Sequence, residues 1–307
     1  MSNPPAEPPG SWGTQAAMPG CVRHPDRPTG LRCTRCDRPA CPECLREASV
    51  GYQCVDCVNE ARRTVRRPTT IAGGSTGQRR LVVTPILILV NLAVFGITAY
   101  QARSIGHNDS SELFLNWYLG PPIVASGEWW RLFTSGFLHF GPVHIALNMV
   151  ALYILGRDLE LILGRLRYSL LYAISLFGGG VSVFLFGDLN SAVAGASGAV
   201  FGLMGGTAVV VFRLRLNPGP ALGIIAVNIF MSVSLPGISL LGHLGGLVVG
   251  AIATAAMVYA PAKSRLAWQS GTLAALVLAL VGLALVRDAQ FGQLVCDARF
   301  GCVQVGP

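Results

Sequence analysis

The sequence predicts an all-α polytopic membrane protein with a small cysteine-rich module ahead of its membrane part. Three observations predict it. Of 307 residues, 52% are hydrophobic and only 12% charged, with a mean hydropathy of +0.53, whereas soluble domains carry about 25% charged residues. From Leu81 onward, seven apolar segments approach the length that spans a bilayer, about 20 residues. Seven of the nine cysteines lie between Cys21 and Cys57, before the first of those segments. The net charge of +8 argues for membrane topology rather than nucleic-acid binding, because arginine clusters flank apolar runs.

Residues 1–20 read as a disordered leader, since Pro and Gly dominate and too little apolar surface is present to offset ordering entropy. They lack a basic start followed by a continuous apolar core. No signal peptide is therefore predicted, and the amino terminus is expected in the cytoplasm. Residues 21–57 hold four ligand pairs, Cys21-x2-His24, Cys33-x2-Cys36, Cys41-x2-Cys44 and Cys54-x2-Cys57. Eight soft ligands make two tetrahedral zinc sites. A disulfide framework fits less well: seven cysteines is an odd number, a histidine fills the eighth place, and the cytosol opposes oxidation. The order of short pairs resembles B-box-like zinc fingers, which implies that pairs one and three share one metal and pairs two and four the other. Such closed sites are structural, so the module is expected to bind or tether a cytosolic protein partner. Residues 58–80, with Arg62-Arg63, Arg66-Arg67 and Arg79-Arg80, read as a basic linker lying against anionic lipid headgroups.

The apolar segments centre on 82–100, 143–157, 168–186, 197–212, 220–235, 238–260 and 267–286. Arginine sets their orientation. The linker, Arg157, Arg165 and Arg167, Arg213 and Arg215, and Lys263 with Arg265 mark cytoplasmic loops, whereas loops 187–196 and 236–237 carry no Lys or Arg. The expectation is a multi-pass protein of the cell membrane with residues 81–260 as a six-helix core, 261–287 as a seventh transmembrane helix and 288–307 as an extracytoplasmic tail. Cys296 and Cys302 in that tail are either a disulfide or two free thiols.

With this topology, segments two, four and six run inward from the external face, and their rare polar residues fall at similar depth. His144 opens segment two, and Asn148 stacks on the same face one turn later. Ser197 opens segment four. His243 lies about 8 Å into segment six at ~1.5 Å per residue. Ionisable residues inside a membrane are costly and usually functional. A serine hydroxyl needs a base to become a nucleophile, and imidazole, with a pKa of about 6.5 in water, suits that role. Segments four and six hold no Asp or Glu, so a Ser197/His243 dyad is expected rather than a triad. The His144 and Asn148 side chains with the Ser197 backbone N–H would form an oxyanion site, aided by the helix start. Gly198, Gly202 and Gly206, with Gly246 and Gly250 on the face of His243, let two membrane helices touch backbone to backbone.

These residues resemble the rhomboid intramembrane serine proteases. The likeness rests on Trp130-Arg131, Leu138-His139-Phe140, His144-x3-Asn148, Gly195-Ala196-Ser197-Gly198 and His243-x2-Gly246-x3-Gly250, and it covers residues 81–260. It implies Ser197 as nucleophile, His243 as general base and acid, and His144 and Asn148 as oxyanion stabilisers, with no cofactor for catalysis. It further implies that Trp130 and Arg131 sit in a loop in the outer leaflet, that His139 and Glu160 are structural, and that segment five, with Asn228 and Ser232, is a side gate. The implied substrate is the transmembrane helix of another protein, cut near its outer end. The alternative is a non-catalytic adaptor that binds client helices and recruits cytosolic proteins through the zinc module. A transporter fits poorly, because the polar residues cluster at one face and no inverted repeat is visible.

Overall fold

The computed structural model describes residues 17–64, 69–74, 80–235 and 237–291, with the strand backbones of 294–297 and 301–304. Most of the expected leader, parts of the linker and the side chains of Cys296 and Cys302 lie outside the described residues. The chain divides into two compact units between Arg67 and Pro68.

In the first unit, β1 (Gly20–Cys21) pairs antiparallel with β2 (His24–Pro28), and β3 (Leu45–Glu47) with β4 (Tyr52–Cys54), which leads into α1 (Val55–Thr64). Among the described residues, its buried core consists of six of the ligand cysteines with only Ala40 and Leu45 besides. So small an apolar interior does not offset chain entropy without a cross-link or a metal.

The second unit is helical: α2 (Val83–Ala102), the short α3 (Glu112–Trp117), α4 (Pro121–Ala125) and α5 (Arg131–Thr134), then α6 (Gly141–Leu163), α7 (Arg165–Phe186), α8 (Ser197–Arg213), α9 (Gly219–Ser234), α10 (Leu240–Val258) and α11 (Arg265–Phe291). A hairpin of β5 (Leu294–Asp297) and β6 (Gly301–Gln304) follows. Among the described residues, four helices, α2, α7, α10 and α11, are long and apolar enough to cross a membrane, and a fifth results if Arg131–Phe137 and α6, bent by 94° at their break, count as one. Helices α8 and α9 are shorter, at 17 and 16 residues. Each expected apolar segment thus lies on a helix. The three short helices in the loop from 101 to 142 are an addition, too brief to leave a periodic signal.

Helix α6 runs past the expected 143–157 to Leu163 because the polar residue near its end is used internally. Glu160 is 3% exposed and its carboxylate accepts hydrogen bonds from the backbone N–H groups of Val82, Val83 and Thr84 at 2.8, 2.9 and 2.8 Å, and from the Thr84 hydroxyl at 2.8 Å. Those N–H groups are the unpaired donors of the α2 start, where a negative charge also meets the helix dipole. Glu160 therefore caps α2 across 76 residues of sequence. At the same end of the bundle, Gln269 fastens α11: its amide donates to the Ala72 and Met257 carbonyls at 2.9 and 2.8 Å and accepts from Arg167 Nε at 2.9 Å.

Helices α7, α8 and α10 form the centre. A Cβ on Gly246 would run into the Gly198 carbonyl, and one on Gly250 into the Gly202 backbone. Glycine at these points lets α8 and α10 meet main chain to main chain. Ser239 begins α10 by accepting from the Gly242 N–H at 3.2 Å.

Glu160→Ala removes the acceptor for three helix-start donors, at about 1–3 kcal/mol for each buried donor left unpaired. Thermal denaturation in detergent should show a clear fall in Tm, and a smaller one for Glu160→Gln, which keeps one acceptor oxygen. An unchanged Tm in both variants would contradict the capping role.

Candidate active site and candidate metal centres

Ser197 is the first residue of α8, at the end of a loop fixed by its backbone. Leu119 and Val193 exchange N–H···O bonds of 2.9 and 2.8 Å, Gly195 N–H donates to the Ser135 carbonyl at 3.0 Å, and Ala196 N–H approaches His139 Nε2 at 3.5 Å. Gly195 has φ +138, which L side chains rarely adopt, and a Cβ there would lie 3.0 Å from His144 Nε2. Only glycine brings the loop this close to the imidazole.

Four residues that the sequence singled out line one cavity of about 740 Å³: Ser197, His243, His144 and Asn148. His243 is 7% exposed, and its ring stacks on Phe201 with centroids 4.0 Å apart and planes at 13°. Phe201 lies one turn below Ser197 on the same face of α8, so a single helix carries both the hydroxyl and the platform for the imidazole. The Ser197 hydroxyl has no hydrogen-bond partner among the described residues.

In the same cavity, His144 Nδ1 accepts the Phe140 N–H at 3.3 Å. The proton of the neutral ring is therefore on Nε2, the nitrogen nearest Gly195. Asn148 is buried and its amide nitrogen donates to the His144 carbonyl at 3.0 Å, leaving one amide hydrogen over. Both side chains can present a donor to an anion formed beside Ser197.

The remaining expected site residues have packing and hydrogen-bonding roles. Arg131 is 2% exposed, pairs with Glu128 at 2.7 Å and donates to the Leu115 and Tyr118 carbonyls at 2.8 and 2.9 Å, stapling the loop together. Its neighbour Trp130 is 52% exposed. His139 is fully buried against His144, ring centroids 5.2 Å apart. Gly198, Gly246 and Gly250 form the α8–α10 contact, and Glu160 is remote from the cavity in its capping role.

Three residues with structural work at the site were not anticipated in that work. Phe201 carries no signal in an apolar run. Asn108, fully buried, donates to the His139 carbonyl at 2.8 Å and accepts the Gly141 N–H at 2.9 Å, joining the first loop to the α6 start. Ser232, on α9, lies 2.7 Å from His243 Nδ1.

In the amino-terminal unit, Cys21, His24, Cys41 and Cys44 form one cluster and Cys33, Cys36, Cys54 and Cys57 another, with ligand atoms within 4.8 Å of one another in each. This is the pairing that the B-box likeness implies. His24 Nδ1 lies 3.4 Å from both Cys41 Sγ and Cys44 Sγ, and Cys36 Sγ lies 3.8 Å from Cys54 Sγ. A tetrahedral ion with Zn–S of about 2.3 Å and Zn–N of about 2.0 Å separates its ligand atoms by about 3.5–3.8 Å, so the residues fit such an ion. Backbone N–H groups prepare the thiolates: Cys54 N–H and Arg35 N–H point at Cys33 Sγ from 3.2 and 3.4 Å, and the Cys41 N–H holds the Cys21 thiol down to about 6.

The site and fold together define a class: a polytopic helical membrane protein with a serine and a histidine in a cavity between glycine-packed helices. The family match is specific. Residues 126–260 match the rhomboid domain, so this part of the chain is a rhomboid core. It is 36% identical over 140 residues to the Rhomboid protease GluP of Bacillus subtilis, covering 44% of this chain and 27% of that one. It is 34% identical over 198 residues to RHOMBOID-like protein 4 of Arabidopsis thaliana, covering 54% and 50%. With the Rhomboid protease AarA of Providencia stuartii the identity is 26% over 222 residues, 61% and 76% of the two chains. The chain thus spans half or less of the length of the first two relatives.

Metal analysis of gently purified protein should find about two zinc ions per chain. Acidification should release them: a metal ion and protons compete for the same thiolate and imidazole atoms, so the stability that bound metal gives at neutral pH is lost as pH falls. A chromogenic zinc chelator follows that release, and a metal content near zero at neutral pH would refute the assignment.

Proposed function

We propose that this chain is an intramembrane serine endopeptidase that hydrolyses peptide bonds in or near the transmembrane helices of other membrane proteins. The observation that carries the reading is the shared cavity, which the Ser197, His243, His144 and Asn148 side chains line together. Ser197 Oγ attacks the scissile carbonyl carbon while its proton passes to His243 Nε2. The carbonyl oxygen, now an anion, is met by His144 Nε2–H, the Asn148 amide and the Ser197 backbone N–H at the start of α8. His243 then protonates the leaving amine, and water repeats the sequence to free Ser197. Weak helix formers near the cut favour hydrolysis, because a regular helix hides its carbonyls in hydrogen bonds.

The same reading assigns residues 21–57 as a zinc-binding domain on the cytoplasmic side, 81–260 as the six-helix protease core, 261–287 as a seventh transmembrane helix and 288–307 as an extracytoplasmic tail in the cell membrane. Supporting a disulfide in that tail, the β5–β6 register sets Cys296 opposite Cys302. Mass spectrometry of the alkylated protein should find both cysteines blocked unless it is first reduced.

Purified protein in liposomes with a fluorogenic transmembrane substrate tests the activity. Ser197→Ala and His243→Ala should fall to background, and Asn148→Ala should lower kcat by about 10²–10³-fold, as expected for loss of an oxyanion donor. Equal cleavage by wild type and Ser197→Ala would overturn the reading. No cleavage by wild type across a substrate panel would favour the adaptor.

A further inference from the structure

Helix α9 is apolar and exposed along most of its surface: Val227, Phe230 and Val233 are 58%, 70% and 67% exposed. Ser232 is the one residue of this helix that is buried, at 5% exposure. Its hydroxyl oxygen lies 2.7 Å from the Asn228 carbonyl, one turn back, and 2.7 Å from His243 Nδ1.

Proton counting decides the direction of these two bonds. A hydroxyl has one hydrogen, and a carbonyl has none to give. At 2.7 Å the Asn228 oxygen can only accept, so the Ser232 hydrogen points there. The contact with His243 must then run the other way, with Nδ1–H donating to Ser232 Oγ. A neutral imidazole protonated on Nδ1 carries its lone pair on Nε2, the nitrogen left to serve the cavity that His243 shares with Ser197. The reverse tautomer would leave Nδ1 as an acceptor facing another lone pair.

We infer that Ser232 is a positioning residue that fixes His243 in the Nδ1–H tautomer, filling the place an acidic third member holds in a Ser/His/Asp triad. This rests on the protease reading and extends it. The Asn228 carbonyl is the third link, so the relay Asn228 C=O, Ser232 O–H, His243 Nδ1–H aligns three dipoles and also meets the positive ring that forms when Nε2 takes the Ser197 proton. Asp or Glu is not needed, and a neutral hydroxyl avoids placing another charge among apolar helices. Phe201 holds the plane of the ring from below, and Ser232 sets its rotation within that plane.

Two measurements on full-length protein in lipid nanodiscs test this. In ¹⁵N-histidine-labelled protein, with the His243 signals assigned by loss in His243→Gln, wild type should show a protonated Nδ1 and an unprotonated Nε2. Ser232→Ala should show a mixture of tautomers, and Ser232→Thr, which keeps the hydroxyl, should restore the wild-type pattern. On the transmembrane substrate, Ser232→Ala should lower kcat roughly 10–100-fold, less than the about 10²–10⁴-fold that a general base itself contributes, with KM nearly unchanged and activity rescued in Ser232→Thr. An unaltered tautomer and kcat in a folded Ser232→Ala protein would overturn the inference while leaving the protease reading intact. If wild type cleaves nothing, the protease reading fails, and the ¹⁵N comparison alone still decides whether Ser232 sets the tautomer.

Discussion

The close approach of α8 and α10 is the constraint on which the rest of the structure depends. Ser197 begins one of these helices and His243 lies within the other, so their separation is set by how near the two backbones come. Gly246 against the Gly198 carbonyl and Gly250 against the Gly202 backbone leave no room for a Cβ. In lipid no hydrophobic gain accompanies helix association, and dispersion contacts between main chains take its place. The glycines are therefore part of the site's geometry as well as of its packing.

A second principle is that polar groups here are held by other polar groups far away in sequence. Glu160 supplies donors of α2 with an acceptor, Arg131 satisfies two loop carbonyls, Asn108 bridges the first loop to the α6 start, and Gln269 binds α11 to the bundle. Each closes a hydrogen-bonding demand that water cannot meet inside a bilayer. The loop before Ser197 is treated in the same way, through Leu119, Ser135 and His139. That gives the chain rigidity at the irregular segment that leads into Ser197.

These properties decide what could be read in advance. Ser197, His243, His144 and Asn148 stand out because polar residues are rare in apolar helices, and a consistent topology gives each a depth. The eight ligands of the amino-terminal unit are legible for a similar reason, since thiols and imidazole recur at a fixed short spacing. Phe201 cannot be told from any core aromatic, because its use depends on a ring 42 residues later. Ser232 is legible only as part of a gate by analogy, since its contact with His243 runs between α9 and α10, and periodicity within one helix does not describe such a pair. The lengths of α3 to α5 fall below what a hydrophobic pattern resolves. Glu160 lengthens α6 beyond its apolar stretch because a buried carboxylate reads as a loop residue until its three backbone donors are known.

The two shortest of the long helices, α8 and α9, are also the two that carry Ser197 and Ser232. At about 1.5 Å per residue, the 17 residues of α8 rise about 25 Å, less than a hydrocarbon core of about 30 Å. Either the bilayer thins around them or their polar ends draw headgroups inward, at a modest energy for each ångström of mismatch. A thick, sterol-rich membrane would strain this side of the molecule and a thin one would relax it, so the composition of the surrounding lipid acts on the depth at which the serine meets water.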